Sequence, residues 1–205
     1  MVTTPLSDFQ FYNELGEKYP ETMVVYASRA GKLRENYLAR LLSEGRGKLL
    51  DVGCNDYLYE AYWHGEYVGV DIALIPLMYG NRNGVWCDAY SLPFRDRVFD
   101  FVLCVEVLEH LWYRVEAMRE MLRVMKPSGE LFLIVPLGDS PGNIVWMNEL
   151  SRWDVTHYYY LHGELSLAYM RYLARSVPCN ILEHKYLVSN QKHIYCRIGK
   201  CKKHG

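Results

Sequence analysis

Aspartate and glycine residues stand where three successive apolar segments of the sequence end. Asp51 and Gly53 follow KLL, Asp71 lies 20 residues after Asp51 at the end of YVGV, and Asp88 follows GVWC. Glycine lets the backbone approach a ligand because it has no Cβ, and a carboxylate at that distance can accept hydrogen bonds from both ribose hydroxyls. The spacing predicts a nucleotide-type site. The alternative, that Asp71 and Asp88 only cap turns and helices, stays open.

Five apolar runs alternate with helical patterns from Lys48 to Val135: KLLDVG, YVGVDI, GVWCD, FDFVLCV and ELFLIVP. Such runs are typical of buried parallel strands joined by right-handed βαβ crossovers. The clearest helix is expected from about Leu111 to Met125, ending at Lys126-Pro127-Ser128-Gly129. This alternation predicts a doubly wound α/β fold.

The segments outside this region complete the predicted organisation. The first 45 residues look helical and end at Gly45 and Gly47, so we expect a helix packed on the sheet. ILEHKYLVS and KHIYCRIG flank Asn190-Gln191 and predict an antiparallel hairpin at one edge. The aromatic stretch between Pro136 and Glu164 is too long for a simple connector, so we expect a lid or binding loop there.

The segments LLDVGC, YVGVDI, CDAYSLPF, FDFVLCVEVLEHL and LRVMKPSGELFLIVP resemble the class I S-adenosylmethionine-dependent methyltransferases, especially the branch with a V-L-E-H-L segment. Each motif alone is weak evidence for the family, but five motifs in the family's order and spacing are specific to it. The resemblance covers about Leu49 to Pro136. It implies a Rossmann-like, mostly parallel seven-stranded sheet with the C-terminal antiparallel hairpin. It also implies S-adenosylmethionine as cofactor and S-adenosylhomocysteine as product, and it leaves the acceptor open.

At 205 residues the chain is expected to form one methyltransferase domain, because a core of that size is filled by a single sheet-and-helix unit. Within it we expect four parts: a helical cap over 1–45, a cofactor-binding core over 46–136, a lid or substrate loop over 137–165, and a last helix with the edge hairpin over 166–205.

The resemblance also implies which positions would hold the cofactor. These are the loop residues Asp51, Gly53, Cys54 and Asn55 beneath the methionine half, Asp71 on the ribose, Ile72 against the adenine, Asp88 and the backbone N–H of Ala89 at the adenine ring, and the backbone near Val105 at the ammonium group.

The loop departs from the family's acid-x-G-x-G-x-G pattern at two positions, Asn55 and Tyr57. Asn visits positive φ more readily than most residues, so Asn55 is expected to make the turn. The family's last glycine lets the following helix sit close to the sheet, so the ring of Tyr57 must point away or cover the cofactor. We expect a modified loop that still binds.

Methyl transfer from a sulfonium is an in-line displacement, so orientation supplies much of the rate and a general base is optional. His110 in VLEHL is the first candidate base, and His157 with Asp154 in SRWDVTHYYY is the second. For all three the simpler alternative, a structural contact in a loop or at a helix start, stays open.

Composition limits the classes of partner. A formal net charge of -1 lacks the basic surplus of nucleic-acid-binding proteins, so RNA is disfavoured, and the aromatic lid favours a small or medium-sized organic acceptor.

The start MVTTPLSDFQFYNE resembles no secretory signal and no apolar run reaches about 18 residues, so we expect a cytoplasmic protein without a membrane span. The six cysteines form no C-x-x-C pair, which favours free thiols and no metal. The chain contains only two glutamines, Gln10 and Gln191, and this low number favours a heat-adapted source organism.

Three alternatives remain. The altered loop at Asn55 and Tyr57 fits a non-catalytic subunit that keeps the fold. The basic residues near the C-terminus, Arg197, Lys200, Lys202 and Lys203 with His204, or the lid, would fit an RNA or protein methyltransferase. A dinucleotide-dependent oxidoreductase is the third, although the chain lacks G-x-G-x-x-G.

Overall fold

A seven-stranded mixed sheet is the centre of the computed structural model, which describes residues 29–55, 58–79, 84–136, 165–188 and 192–201. The elements in chain order are α1 (Arg29–Ser43), β1 (Lys48–Val52), a 3-10 turn (Glu60–Tyr62), β2 (Glu66–Asp71), α2 (Leu74–Tyr79), β3 (Val85–Trp86), β4 (Phe99–Val105), a second 3-10 turn (Leu108–His110), α3 (Arg114–Val124), β5 (Met125–Pro136), α4 (Leu167–Ser176), β6 (Cys179–Val188) and β7 (Lys192–Lys200).

The strand order is β3-β2-β1-β4-β5-β7-β6. The first five strands are mutually parallel, and β7 runs antiparallel to both β5 and β6. The order reverses between β1 and β4, which is where ligands bind in doubly wound sheets. The predicted fold class is confirmed, including the antiparallel hairpin at one edge.

Alternation along the strands gives the sheet two buried faces. On one face Leu50, Val102 and Leu131 pack with residues of α3 and α4. On the other, Leu49, Leu103 and Phe132 pack with Leu38 and Leu42 of α1 and with Trp63. Helices therefore cover both faces. Cys54, Cys104, Cys179 and Cys196 are buried, and all are free thiols.

Two boundaries differ from the prediction. The helix expected from Leu111 begins at Arg114, because Leu108–His110 forms a 3-10 turn and Leu111 is extended. The strand expected from Glu130 already begins at Met125, which pairs with Phe99 before an irregularity shifts the register. The segment after the helix therefore belongs to the sheet.

None of the helices in the described ranges is long and apolar enough to cross a bilayer.

Candidate functional site

The carboxyl ends of β1, β2 and β4 meet at the point where the strand order reverses. Asp51 in β1 pairs with Gly69 of β2 and Leu103 of β4, and Asp71 ends β2. The sheet thus brings residues from three distant parts of the chain to one edge.

The loop after β1 turns sharply at two residues with positive φ. Gly53 has φ of 76° and Asn55 has φ of 48°. The N–H groups of Gly53 and Cys54 both donate to the carbonyl of Val70, at 2.8 and 3.1 Å, which fastens the loop to β2. A Cβ on Gly53 would lie 2.1 Å from Cγ2 of Val107, so this position needs glycine for space as well as for conformation. Asn55 makes the turn, as predicted.

Backbone amides fix the Asp71 carboxylate. Asn55 N donates to its Oδ2 and Ala73 N to its Oδ1, each at 2.9 Å. Burial raises the pKa of Asp71, and the amides of Ala73, Asn55 and Ile72 oppose that rise. Because a carboxylate has about four lone-pair sites, these amides leave accepting capacity for a hydroxyl donor.

Asp51 is buried beneath the loop, and the hydroxyl of Tyr67 donates a hydrogen bond to its Oδ2. Burial raises the pKa of Asp51 to about 7, against the lowering effect of the Tyr67 bond, and the charge of Asp71 adds to the rise. Asp51 therefore changes charge near neutral pH. Burial and the charge of Asp51 raise the pKa of Tyr67, which stays a neutral donor.

A residue of α3 anchors the loop that follows β3. Asp88 Oδ1 accepts from Tyr90 N at 2.9 Å and the Asp88 carbonyl from Ser91 N at 3.0 Å, so Asp88 does cap a turn. Further along, Arg123 donates to the carbonyls of Leu92 and Phe94, both at 2.8 Å. The loop that carries Asp88 and the half-buried Ala89 is thus anchored at both ends.

The segment after β4 faces the β1 loop. Val105 is buried at the end of β4, and the next residue, Glu106, has φ of 56°, a conformation that is uncommon outside glycine. The N–H of Glu106 donates to the carbonyl of Ile134 at 2.9 Å. Val107 then contacts Gly53, so this segment and the glycine loop touch.

A buried charged cluster lies beside this contact, which we call the polar cluster: Arg34, Glu106, Glu109, His110 and His193. Arg34 Nη1 lies 3.4 Å from Glu106 Oε2, and His193 Nε2 lies 3.2 Å from Glu106 Oε1. His110 Nε2 lies 3.7 Å from Glu109 Oε1. Four segments supply it: α1, the end of β4, the 3-10 turn and the start of β7.

The pKa values of the two glutamates in the polar cluster are shifted in opposite directions. Burial alone would raise the pKa of Glu106, but the charge of Arg34 and the contacts with His193 and His110 hold it below its ordinary value. Burial and the charge of Glu106 raise the pKa of Glu109 well above its ordinary value. Arg114, bonded to the carbonyls of Leu108 and Glu109, fixes the turn, and its charge together with that of Arg34 opposes the rise in the pKa of Glu109. The polar cluster therefore favours the ionised form of Glu106 and the protonated form of Glu109.

The structure brings most residues predicted from sequence to this edge. The predicted residues that lie there are Asp51, Gly53, Cys54, Asn55, Asp71, Ile72, Asp88, Ala89, Val105 and His110. Tyr57, Asp154 and His157 fall outside the described residues. Their assignments remain predictions.

Sequence analysis did not identify Arg34, Glu106, Glu109 and His193 as site residues. The sequence does contain a sign that Arg34 is buried, because it lies four residues before Leu38 on the apolar stripe of α1. A similar sign for His193 is that this polar residue stands beside the apolar run of β7.

In the part of the chain that the structure describes, no group of three or more His, Cys, Asp or Glu side chains has a geometry suited to a metal ion.

Comparisons with known proteins agree with this architecture. The family described as "Methyltransferase domain" matches residues 50–133. An uncharacterised protein of Methanocaldococcus jannaschii is 28% identical over 131 residues, which cover 60% of this chain and 58% of that protein. A protein of Encephalitozoon cuniculi, provisionally named a methyltransferase, is 32% identical over 133 residues, covering 62% of this chain and 60% of that protein. The chain thus spans about three fifths of the length of these relatives.

Among solved structures, this chain is similar to the complex between the Haloferax volcanii Trm112 methyltransferase activator and a provisionally named methyltransferase. The TM-score is 0.74 at 15% identity, with 95% of this chain and 99% of that chain covered. At this identity the likeness concerns the fold alone.

Proposed function

This chain belongs to the class I S-adenosylmethionine-dependent methyltransferases, and from that premise we propose that it transfers a methyl group from S-adenosylmethionine to a small or medium-sized organic acceptor. The proposal rests mainly on the hydrogen bond that joins the loop after β1 to the end of β2, at the point where the strand order reverses. There the Asn55 amide holds the Asp71 carboxylate at 2.9 Å.

The residues at this edge fit the cofactor. Gly53 has a positive φ, which turns the loop sharply where the methionine half would lie. Asp71 keeps accepting capacity for a ribose hydroxyl. One oxygen of Asp88 accepts from Tyr90 N, and we expect the other, Oδ2, to accept from the adenine amino group. Ile72 and Ala89 would line the adenine, and Val105 would lie by the ammonium group.

When bound, S-adenosylmethionine supplies an electrophilic methyl group on a sulfonium. The chain itself must then hold the acceptor in line with that methyl and exclude water, and orientation alone supplies about 7 to 11 kcal/mol of such barriers. Fixed loops provide this orientation, because the glycine loop is bonded to β2 and the Asp88 loop is anchored by Arg123.

A small organic acceptor is favoured by charge and by aromatic side chains near the site. The formal net charge of -1 offers no general attraction to nucleic acid. Tyr90 and Tyr113 stack edge to face with ring centroids 5.8 Å apart, and Trp112 beside them is largely exposed. Aromatic rings beside the site suit a planar organic group.

The test is calorimetric titration of the purified protein with S-adenosylmethionine and S-adenosylhomocysteine. We expect micromolar binding of both. A folded protein that binds neither would contradict the proposal and would favour a non-catalytic subunit that keeps the fold.

A further inference from the structure

Three buried polar atoms of the polar cluster have no hydrogen-bond partner among the residues that the structure describes: Glu106 Oε1, Glu109 Oε2 and His193 Nε2. His193 and Glu109 are each 2% exposed. Although His193 Nε2 and Glu106 Oε1 are 3.2 Å apart, their alignment does not make a hydrogen bond. A buried polar group without a partner destabilises the folded protein, so these atoms point to a polar ligand.

The polar cluster lies beside the loop proposed to hold the cofactor. Glu106 and Glu109 flank the segment in which Val107 contacts Gly53, the glycine of the cofactor loop. Glu106 and His110 keep 20% and 22% of their side chains exposed, so the cluster is open to a ligand on this side. The positive φ of Glu106 is a strained conformation of the kind that collects at functional sites.

The charges of the cluster discriminate between acceptor atoms. An amine beside ionised Glu106 would be held as an ammonium ion, which has no lone pair for the methyl group. A carbon acceptor would leave the three buried atoms unpaired. A hydroxyl can donate to the imidazole, and it must lose its proton as the methyl group arrives, so it requires a base at this position.

Resting on the proposed function, we propose that the polar cluster is the acceptor subsite, that the acceptor is methylated at a hydroxyl oxygen, and that His193 Nε2 takes the hydroxyl proton. The acceptor oxygen forms its bond to the methyl carbon as the carbon–sulfur bond breaks, and the proton passes to His193 and then to solvent. Glu106 is a positioning residue, because its negative charge stabilises the imidazolium ion. Glu109 in its protonated form, which burial favours, adds a donor for the acceptor.

The first test identifies the accepting atom. The wild-type protein is incubated with methyl-deuterated S-adenosylmethionine and a small-molecule extract of its native cells, and the labelled methyl group is located by tandem mass spectrometry and NMR. A methyl group on oxygen is the expected result, and one on nitrogen or carbon overturns the inference. If the protein binds S-adenosylhomocysteine but labels nothing, the inference fails. If it binds no cofactor, the proposed function itself fails.

The second test uses the labelled acceptor with His193→Gln and Glu106→Gln. Exposed His184 and Glu116 provide matched controls as His184→Gln and Glu116→Gln. We expect both cluster variants to lose about 100-fold or more in kcat, the usual contribution of general acid–base catalysis, while S-adenosylhomocysteine affinity stays within about threefold. His193→Gln should also lose the acid limb of the pH–rate profile. Among the described residues the charged group in contact with His193 is Glu106, at 3.2 Å, and Arg34 and His110 act on Glu106 in turn.

Two results would overturn the role of His193. One is unchanged kcat and an unchanged pH profile in folded His193→Gln, checked by thermal denaturation. The other is tight binding of Mg²⁺ alone to the wild-type protein that both cluster variants abolish, because a nitrogen lone pair bound to a metal ion is not available to take a proton.

Discussion

The backbone N–H of Asn55 donates a hydrogen bond to Oδ2 of Asp71, with nitrogen and oxygen 2.9 Å apart. This bond joins the loop after β1 to the end of β2. It forms because Asn55 adopts φ of 48°, which turns the chain toward the neighbouring strand. The residue that replaces a family glycine therefore orients the carboxylate proposed to bind the ribose.

Replacing Asp71 with alanine should weaken S-adenosylmethionine binding by about 10- to 100-fold, the loss of charged hydrogen bonds worth roughly 1.5 to 3 kcal/mol. Calorimetric titration of the folded variant measures the change, with Glu44→Ala on the exposed surface as control. Wild-type affinity in Asp71→Ala would contradict the ribose assignment.

Replacing Asn55 with glycine should change cofactor affinity by less than about threefold, because the bond to Asp71 uses only the backbone N–H and glycine accepts positive φ. Asn55→Val is the matched contrast. A β-branched residue in this conformation costs roughly 1 to 2 kcal/mol, so its unfolding free energy and its affinity should both fall. Equal behaviour of the two variants in urea denaturation and titration would show that the turn does not matter.

The cofactor edge was predictable because its signals are local. An apolar run followed by Asp51-Val52-Gly53 indicates a strand end and a tight turn, and the tolerance of asparagine for positive φ predicted the conformation of Asn55. These inferences need only the residues within one segment and the rule that parallel strands end at the same edge.

The polar cluster was not predictable in the same way, because its contacts depend on long-range register. His193 lies opposite Pro136 in the β5–β7 pairing, and this pairing brings it to the end of β4 and to Glu106. A shift of one residue would turn His193 to the other face of the sheet. Arg34 reaches the same place from a helix that precedes the sheet.

Replacing Gly53 with alanine should lower the free energy of unfolding by roughly 1 to 3 kcal/mol, since the new Cβ meets Val107 Cγ2 in a conformation with φ of 76°. The contact and the backbone strain can be separated. In Gly53→Ala with Val107→Ala the steric contact is removed but the strain remains, so the double variant should be less destabilised than the sum of the two single variants. Urea denaturation of all four proteins gives this comparison, and strict additivity would show that Gly53 and Val107 do not interact.

Asp51 should make stability depend on pH in an unusual direction. Burial raises its pKa from 3.8 to about 7, so the folded protein keeps a proton on Asp51 that the unfolded chain releases above about pH 4. Stability from this group is therefore lost as pH rises from about 4 to about 7, and the loss stops above that range. Asp51→Asn cannot ionise and can still accept the hydrogen bond from Tyr67, so its stability relative to wild type should increase across the same range. Urea denaturation at four pH values between 4.5 and 7.5 measures this difference, with Glu44→Gln as the control. A difference that stays constant with pH would mean that Asp51 is ionised in the folded protein throughout.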